Sequence, residues 1–181
     1  MLDLARNDMM ALSRASLAAL RTALVRETGQ SASFFQEAGY AGGASVLESF
    51  RDWLSQHGHG APDTLDALSF QALAAEFFGA TGWGSLIVGA IGAAALTLDS
   101  YDWSEADPEM GAVQPSCFYT TGLFSDFFSR VGGAPVVAYE VECRSTGGSR
   151  CRWLLGSPDA LQSAYDAMVA GADYEAALRD G

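Results

Sequence analysis

Three cysteines and one glutamate in the second half of the chain form its clearest chemical pattern. The cysteines are Cys117, Cys143 and Cys151, and Glu140 lies shortly before the second of them. Thiolates and carboxylates both bind zinc, and four such ligands complete the tetrahedral coordination that zinc prefers. No cysteine precedes Cys117, so all the thiols of the chain fall in one region. The pattern predicts a metal site.

Two other interpretations of these cysteines stay open from spacing alone. Free cysteine is among the most buried residue types, so three unrelated core cysteines fit equally well. A disulfide between Cys143 and Cys151 is a third interpretation, which a reducing compartment disfavours. The carboxylate also needs special geometry, because Glu140 and Cys143 point to opposite faces of a regular strand unless a bulge separates them. Glu142, next to Cys143, has the same difficulty.

Composition limits the partners of the chain. Its 181 residues carry a net charge of -12 with only ten lysines and arginines, which disfavours nucleic acid and anionic membrane surfaces. Apolar residues make up 49% and charged residues 18%, which excludes disorder. One domain over residues 1–181 is expected, since a chain of this length can bury about 70% of its unfolded surface without a metal.

Neither a secretory leader nor a membrane span is predicted. Residues 1–6 show no basic region followed by an apolar run. The most apolar stretch, residues 86–98, is too short to cross a bilayer and contains Gly89 and Gly92. These features and the three cysteines, an odd number, predict a cytoplasmic protein.

Hydrophobic periodicity divides the chain into two parts, a mainly helical part over residues 1–80 and a sheet-containing part over residues 84–181. In the first part, helices are predicted at residues 11–27, 33–55 and 65–78. In the second part, a hairpin at residues 84–101 precedes a helix at 117–130, strands at 136–143 and 151–155, and a helix at 157–169. This order predicts an α+β fold, a small antiparallel sheet flanked by helices.

Two details of the helical part lead to specific expectations. Leu17, Leu20 and Leu24 recur at helical spacing in the first helix, and Arg21 falls outside that apolar stripe. The second helix contains the run Gly39-Tyr40-Ala41-Gly42-Gly43. Glycine in a helix costs about 1 kcal/mol relative to alanine, so this run predicts the close approach of another backbone or of a ligand.

An apolar pocket is predicted beside the cysteines. On the helix that begins at Cys117, Thr121 and Phe124 continue the face of the cysteine at helical spacing. A neighbouring strand would present two leucines to the same space, which gives an apolar chamber with a single hydroxyl, as is common for small-molecule sites. An ordinary filled core is the alternative. The predicted lining residues are Leu96, Leu98, Thr121, Phe124 and Phe127.

The remaining polar clusters predict no catalysis. His57 and His59 lie in a glycine-containing loop and are expected to be solvated. Five acidic residues between positions 99 and 109 fit no known metal loop, and they are interpreted as a solvated connection. No phosphate-binding loop, nucleophile elbow or dinucleotide motif is present.

The cysteine region resembles the 4-vinyl reductase domain family. The resemblance rests on Cys117-Phe118-Tyr119-Thr120-Thr121-Gly122, on residues 135–143, and on Gly147 and Cys151-Arg152-Trp153. It is looser over the first 100 residues, where it rests on residues 39–42 and 82–84. Members of this family act as sensor domains of phenol- and xylene-responsive bacterial activators, and their fold is related to that of vesicle-tethering (TRAPP) subunits.

The resemblance implies a structural Zn²⁺ held by Cys117, Glu140, Cys143 and Cys151, with Glu140 favoured over Glu142. It further implies a non-catalytic sensor domain for a small hydrophobic or aromatic ligand, with a homodimer or a protein partner to pass on the signal. Phenol-binding members use a polar pair of side chains, and Leu96 stands where one of these is expected, which favours a more apolar or larger ligand. An accessory protein or reductase of (bacterio)chlorophyll tetrapyrrole synthesis is the alternative, and an assembly protein is a second alternative.

Overall fold

Six α-helices and a four-stranded antiparallel sheet account for most of the described residues. The structure is a computed structural model that describes residue 7 and residues 9–179. Residues 1–6, for which no leader is predicted, lie outside this part. The elements are α1 (Arg14–Thr28), α2 (Ala32–Gln56), α3 (Ala67–Ala80), β1 (Ile87–Ile91), β2 (Ala95–Ser100), α4 (Phe118–Gly132), β3 (Val137–Glu142), β4 (Cys151–Gly156), α5 (Pro158–Val169) and α6 (Tyr174–Arg179). The predicted α+β class is confirmed.

The sheet carries helices on both faces. Its strand order is β1-β2-β4-β3, and every neighbouring pair is antiparallel. One face packs on α2, α3 and α4 and forms the larger core. The other face packs on α5 and α6 around Leu154 and Leu161. The larger core therefore includes residues from both predicted parts of the chain.

Side chains that bond to backbone amides fix the starts of several helices. Ser157 accepts a hydrogen bond from the amide of Ala160, and Pro158 occupies the first turn of α5. Both features favour a helix start, because the first amides of a helix have no partner within it. Asp66 caps α3 in the same way. The predicted start of α5 is confirmed.

The glycine run of α2 allows α2 and α4 to pack backbone against backbone. A Cβ atom on Gly39 would overlap the carbonyl oxygen of Tyr119, and one on Gly122 would overlap the carbonyl oxygen of Gln36. Only glycine fits at such contacts. The close approach predicted from the sequence is thus confirmed, and it fixes α4, the helix that begins beside Cys117.

The larger core is built mainly from aromatic rings in edge-to-face contact. Phe78 contacts Phe124 and Phe127 with ring centroids 5.5 Å apart in each case. Trp153 contacts Phe124 and Trp103 at 5.4 Å. Such pairs stabilise a core by about 0.5–1.5 kcal/mol each beyond the area they bury.

Two expectations for apolar faces are wrong. Leu20 is 51% exposed and Leu68, which falls in the predicted third helix, is 78% exposed. Arg21, expected outside the buried stripe of α1, is instead buried. The reason is that the guanidinium of Arg21 meets the buried carboxylate of Glu105 at 3.0 Å. Ion pairing, which periodicity does not record, decides which side of α1 faces the protein.

Among the described residues, no helix combines the length and hydropathy needed to cross a bilayer.

Candidate functional site

The four predicted metal ligands come from three neighbouring elements. Cys117 is the residue before the first turn of α4, Glu140 lies in β3, Cys143 directly follows β3, and Cys151 begins β4. The pairing of β3 with β4 shifts register between Glu140 and Glu142. This irregularity is the bulge that the sequence requires, and it lets Glu140 and Cys143 approach one point from the same strand.

The ligand atoms of these four residues lie close together and are buried. The Sγ atom of Cys117 lies 3.8 Å from that of Cys143 and 3.9 Å from that of Cys151. One ligand atom from each of the four residues can be chosen so that all lie within 4.8 Å of one another. Two sulfurs bound to one zinc at about 2.3 Å each, with a tetrahedral angle, lie about 3.8 Å apart. The observed sulfur spacing therefore fits this ion.

Glu140 supplies a second test of the fit. Its Oε2 atom accepts a hydrogen bond of 2.7 Å from the amide of Cys117. Its Oε1 atom is buried and has no hydrogen-bond partner among the described residues. An unpaired buried polar atom costs about 1–3 kcal/mol. A cation among the three sulfurs would remove this cost, so the cluster can hold a metal ion.

The electrostatics of the cluster also favour a bound cation. Burial and the neighbouring charge of Cys143 raise the pKa of Glu140 to about 9. Burial likewise raises the pKa of the Cys117 thiol well above its usual value, whereas hydrogen bonds from Cys117 and Cys151 lower the pKa of Cys143. The four acids therefore cannot all ionise in one buried site without a compensating positive charge.

The structure also bears on the alternatives. All three cysteines are free thiols. Glu142, the alternative carboxylate, turns away from the cluster and forms two 2.8 Å hydrogen bonds with Arg150. The hydroxyl of Tyr174 also donates to Glu142.

The interpretation of the acidic segment as a solvated connection is wrong for Glu105. This side chain is buried and accepts hydrogen bonds from the amides of Tyr119 and Thr120, at 3.0 and 2.7 Å, and from the Thr120 hydroxyl. Arg21 of α1 pairs with the same carboxylate. Burial raises the pKa of Glu105, while the bonds from Thr120 and the charge of Arg21 oppose that rise. Glu105 thus holds the first turn of α4 beside the cysteines.

The same interpretation is wrong for Asp99. It is 8% exposed and forms two 2.7 Å hydrogen bonds with Arg152. Arg150 donates to Asp99 and to Glu142, and Arg152 also reaches Glu175 of α6. This ion-pair network joins β2, β3, β4 and α6. The sequence gives no signal for it, because like charges at neighbouring positions of one strand pair with residues far away in the chain.

The residues of the predicted pocket do not all come together. Leu98, Phe124 and Phe127 are fully buried in the aromatic core. The Thr121 hydroxyl donates to the carbonyl of Cys117 at 2.9 Å. Leu96 is 44% exposed and lies toward the end of β2. Beside the core residues, the indole nitrogen of Trp153 is buried with no hydrogen-bond partner in the described part of the chain.

A large cavity lies elsewhere, between the N-terminal segment and α2. Its volume is about 800 Å³. We call it the N-terminal cavity, and its lining residues are Met9, Met10, Ala11, Leu12, Ser13, Arg14, Leu17, Ala41, Gly42, Ser45, Val46, Thr81, Gly82, Trp83, Ser104, Glu105 and Tyr119. Trp83 belongs to a glycine-flanked motif that the sequence singles out, but no sequence signal joins it to α1 or α2.

Comparison with known proteins agrees with this geometry. Residues 100–157, which include all four cluster residues, match the model of the 4-vinyl reductase domain family. The resemblance predicted from the sequence is thereby confirmed over this segment. No curated protein matches the chain by sequence.

Solved structures extend the likeness to most of the chain. The phenol-responsive sensory domain of the transcription activator PoxR, crystallised with phenol, has a TM-score of 0.64 and 22% identity over 90% of this chain and 82% of that one. A vinyl-4-reductase family protein from Methanocaldococcus jannaschii gives 0.55 and 12% over 85% and 90%. A trafficking protein particle complex subunit 3 from Naegleria fowleri, covalently bound to palmitic acid, gives 0.59 and 10% over 79% and 91%. These likenesses show the fold.

Proposed function

We propose that the chain is a zinc-stabilised, non-catalytic binding domain for a small hydrophobic or aromatic ligand. The observation that carries the proposal is the buried group of three sulfurs and one carboxylate, whose spacing fits one tetrahedral ion. Cys117, Glu140, Cys143 and Cys151 would supply all four ligands. Such an ion has no position left for a water nucleophile, so its role would be structural.

The position of the cluster supports a structural role for the metal. The cysteines join the start of α4 to the strands β3 and β4. An ion bound there would fix α4 against the sheet, and the side chains of α4 form one wall of the aromatic core. In this proposal the metal shapes the binding surface and does not contact the ligand.

Trp153 supports an aromatic ligand with an oxygen atom. Buried hydrogen-bond donors almost always have a partner, yet the indole nitrogen of Trp153 has none among the described residues. Trp153 lies beside Phe124, and in the sheet it pairs with Leu98, two residues of the predicted pocket. A phenolic oxygen could accept a hydrogen bond there. The rings of the core must move to admit such a ligand, because they fill this space.

The proposal about the metal is tested by native mass spectrometry with elemental analysis. We expect one zinc ion per chain, and less in Cys143→Ser. A chain that purifies with no metal and takes up none on addition of zinc would contradict the proposal.

The proposal about the ligand is tested by thermal shift with phenols, alkylbenzenes and porphyrins. We expect the single-ring compounds to stabilise the protein, and phenols to lose their advantage over alkylbenzenes in Trp153→Phe but not in the control Trp53→Phe. A shift with porphyrins alone would instead favour a role in tetrapyrrole synthesis, and no shift with any apolar compound would favour an assembly role. The homodimer, the protein partner and the cytoplasmic location stay predictions from the sequence.

A further inference from the structure

The N-terminal cavity is separate from the site proposed above. None of the four cluster residues lines it, and neither do Leu98, Phe124 or Trp153. Its volume of about 800 Å³ lies within the range of about 300–1,000 Å³ that is typical of small-molecule sites. The cavity could therefore accept a ligand while the aromatic core stays filled.

Most of the cavity wall is apolar. Leu17 of α1 and Val46 of α2 line it, and Trp83 adds an aromatic surface. The ring of Trp83 stacks on that of Tyr119 at 5.7 Å and on that of Trp103 at 5.6 Å, so this part of the wall is rigid. On α2, small residues leave space, and a Cβ atom on Gly42 would lie 3.1 Å from the Tyr119 hydroxyl.

The polar groups of the wall are mainly hydrogen-bond donors. The hydroxyls of Tyr119 and Ser45 make no hydrogen bond with any described residue. Burial and the nearby charge of Glu105 raise the pKa of Tyr119, so its hydroxyl keeps the proton that it can donate. One nitrogen of Arg14 donates to the carbonyl of Ala106 at 3.2 Å, which leaves the other nitrogens of the guanidinium without a partner among the described residues.

The charge of the lining is positive, in contrast to the net charge of -12 of the whole chain. Arg14 and Glu105 are the charged lining residues. The carboxylate of Glu105 is already neutralised by Arg21 and by donors at the start of α4. The charge of Arg14 therefore remains available to an anion, and a guanidinium binds a carboxylate through two parallel hydrogen bonds.

We propose that the N-terminal cavity is a second ligand site that binds an apolar monocarboxylate. The carboxylate meets the guanidinium of Arg14, and the hydrocarbon part packs on Leu17, Val46 and Trp83. A single arginine at an exposed position neutralises one charge, so a monoanion fits this site better than a polyanion. An uncharged apolar compound would leave the donors of the wall without acceptors.

The test compares biphenyl-4-carboxylate with biphenyl-4-methanol, which has a similar shape and no charge, by isothermal titration and by tryptophan fluorescence. We expect the acid to bind at least about tenfold more tightly, which corresponds to about 1.4 kcal/mol. In Arg14→Gln that advantage should disappear. In Arg26→Gln, which removes a charge from an exposed position of the same helix, it should persist.

A second pair of variants locates the ligand independently of charge. Ser45→Leu fills part of the cavity and should weaken binding of the acid at least about tenfold, whereas Ser33→Leu, at an exposed position of the same helix, should not. Metal content and melting temperature are measured on every variant to verify the fold. Equal affinity for acid and alcohol, or full binding of the acid by Arg14→Gln or Ser45→Leu, would overturn the proposal.

Discussion

The unpaired carboxylate of Glu140 leads to a prediction about how the metal-free protein responds to pH. The perturbation is Glu140→Gln, which keeps the size of the side chain and removes its proton equilibrium. Burial, together with the charge of Cys143, raises the pKa of Glu140 from its usual value of 4.5 to about 9 in the folded protein. The folded protein therefore keeps a proton that the unfolded chain has already released.

The sign and size of the effect follow from this difference. A carboxyl whose pKa is raised on folding contributes its full stability below its unfolded pKa and loses it as the pH rises toward the folded pKa. Between about pH 5.5 and about pH 8, each unit costs about 1.4 kcal/mol, so the metal-free protein should lose about 3 kcal/mol through Glu140. Zinc reverses this trend, because the ion binds the ionised carboxylate and competes with protons.

Urea unfolding of the metal-free protein across this pH range measures the effect. We expect the free energy of unfolding of Glu140→Gln to fall by about 3 kcal/mol less than that of the wild type. Glu142→Gln is the control, because the hydrogen bonds from Arg150 lower the pKa of Glu142 and its contribution changes only at more acidic pH. Identical pH slopes for the wild type and Glu140→Gln would refute the reasoning.

Three further perturbations test the cluster and the scaffold that positions it. Cys143→Ser should lower metal content well below one ion per chain and lower the melting temperature; a stable variant with normal metal content would contradict the ligand assignment. Gly39→Ala should cost about 3 kcal/mol in urea unfolding, because its Cβ would overlap the Tyr119 carbonyl, whereas Gly132→Ala, with no atom within 4 Å, should change stability by less than about 1 kcal/mol. Arg21→Met should cost about 3–5 kcal/mol by leaving Glu105 buried without its partner, and adding Glu105→Gln should recover part of that loss; strictly additive effects would argue against the pair.

Much of the fold was accessible from local sequence patterns. Ser157 and Pro158 predicted the start of α5, because capping depends on residues within one turn. The glycine run of α2 predicted a close approach, because glycine is unfavourable in a helix without such a reason. The α+β class followed from the order of helical and strand-like segments.

The candidate metal site was predictable for a different reason. Cys117, Glu140, Cys143 and Cys151 combine residue types that bind the same ion, and a family pattern matches their spacing. The need for a bulge after Glu140 also followed from the alternation of side chains along a strand. The bulge itself depends on the pairing of β3 with β4, which spacing alone does not give.

The interpretation of the acidic segment was wrong where a partner came from far away in the sequence. Glu105 and Asp99 appeared solvated, since neighbouring charges usually mark a surface. Their partners, Arg21 and Arg152, lie on other elements, and the sequence does not record which charges will meet. The N-terminal cavity was not predicted for the same reason, because its wall comes from four separate segments.

The sequence by itself determined the chemical types of the ligands, the helices and strands, and the places where backbones must approach closely. These properties depend on side-chain chemistry and on neighbours within a few positions. Only the tertiary structure decided which carboxylates are buried, which rings fill the core, and where space for a ligand remains. Those outcomes depend on contacts between residues that are distant along the chain, and burial sets their energies only after the chain has folded.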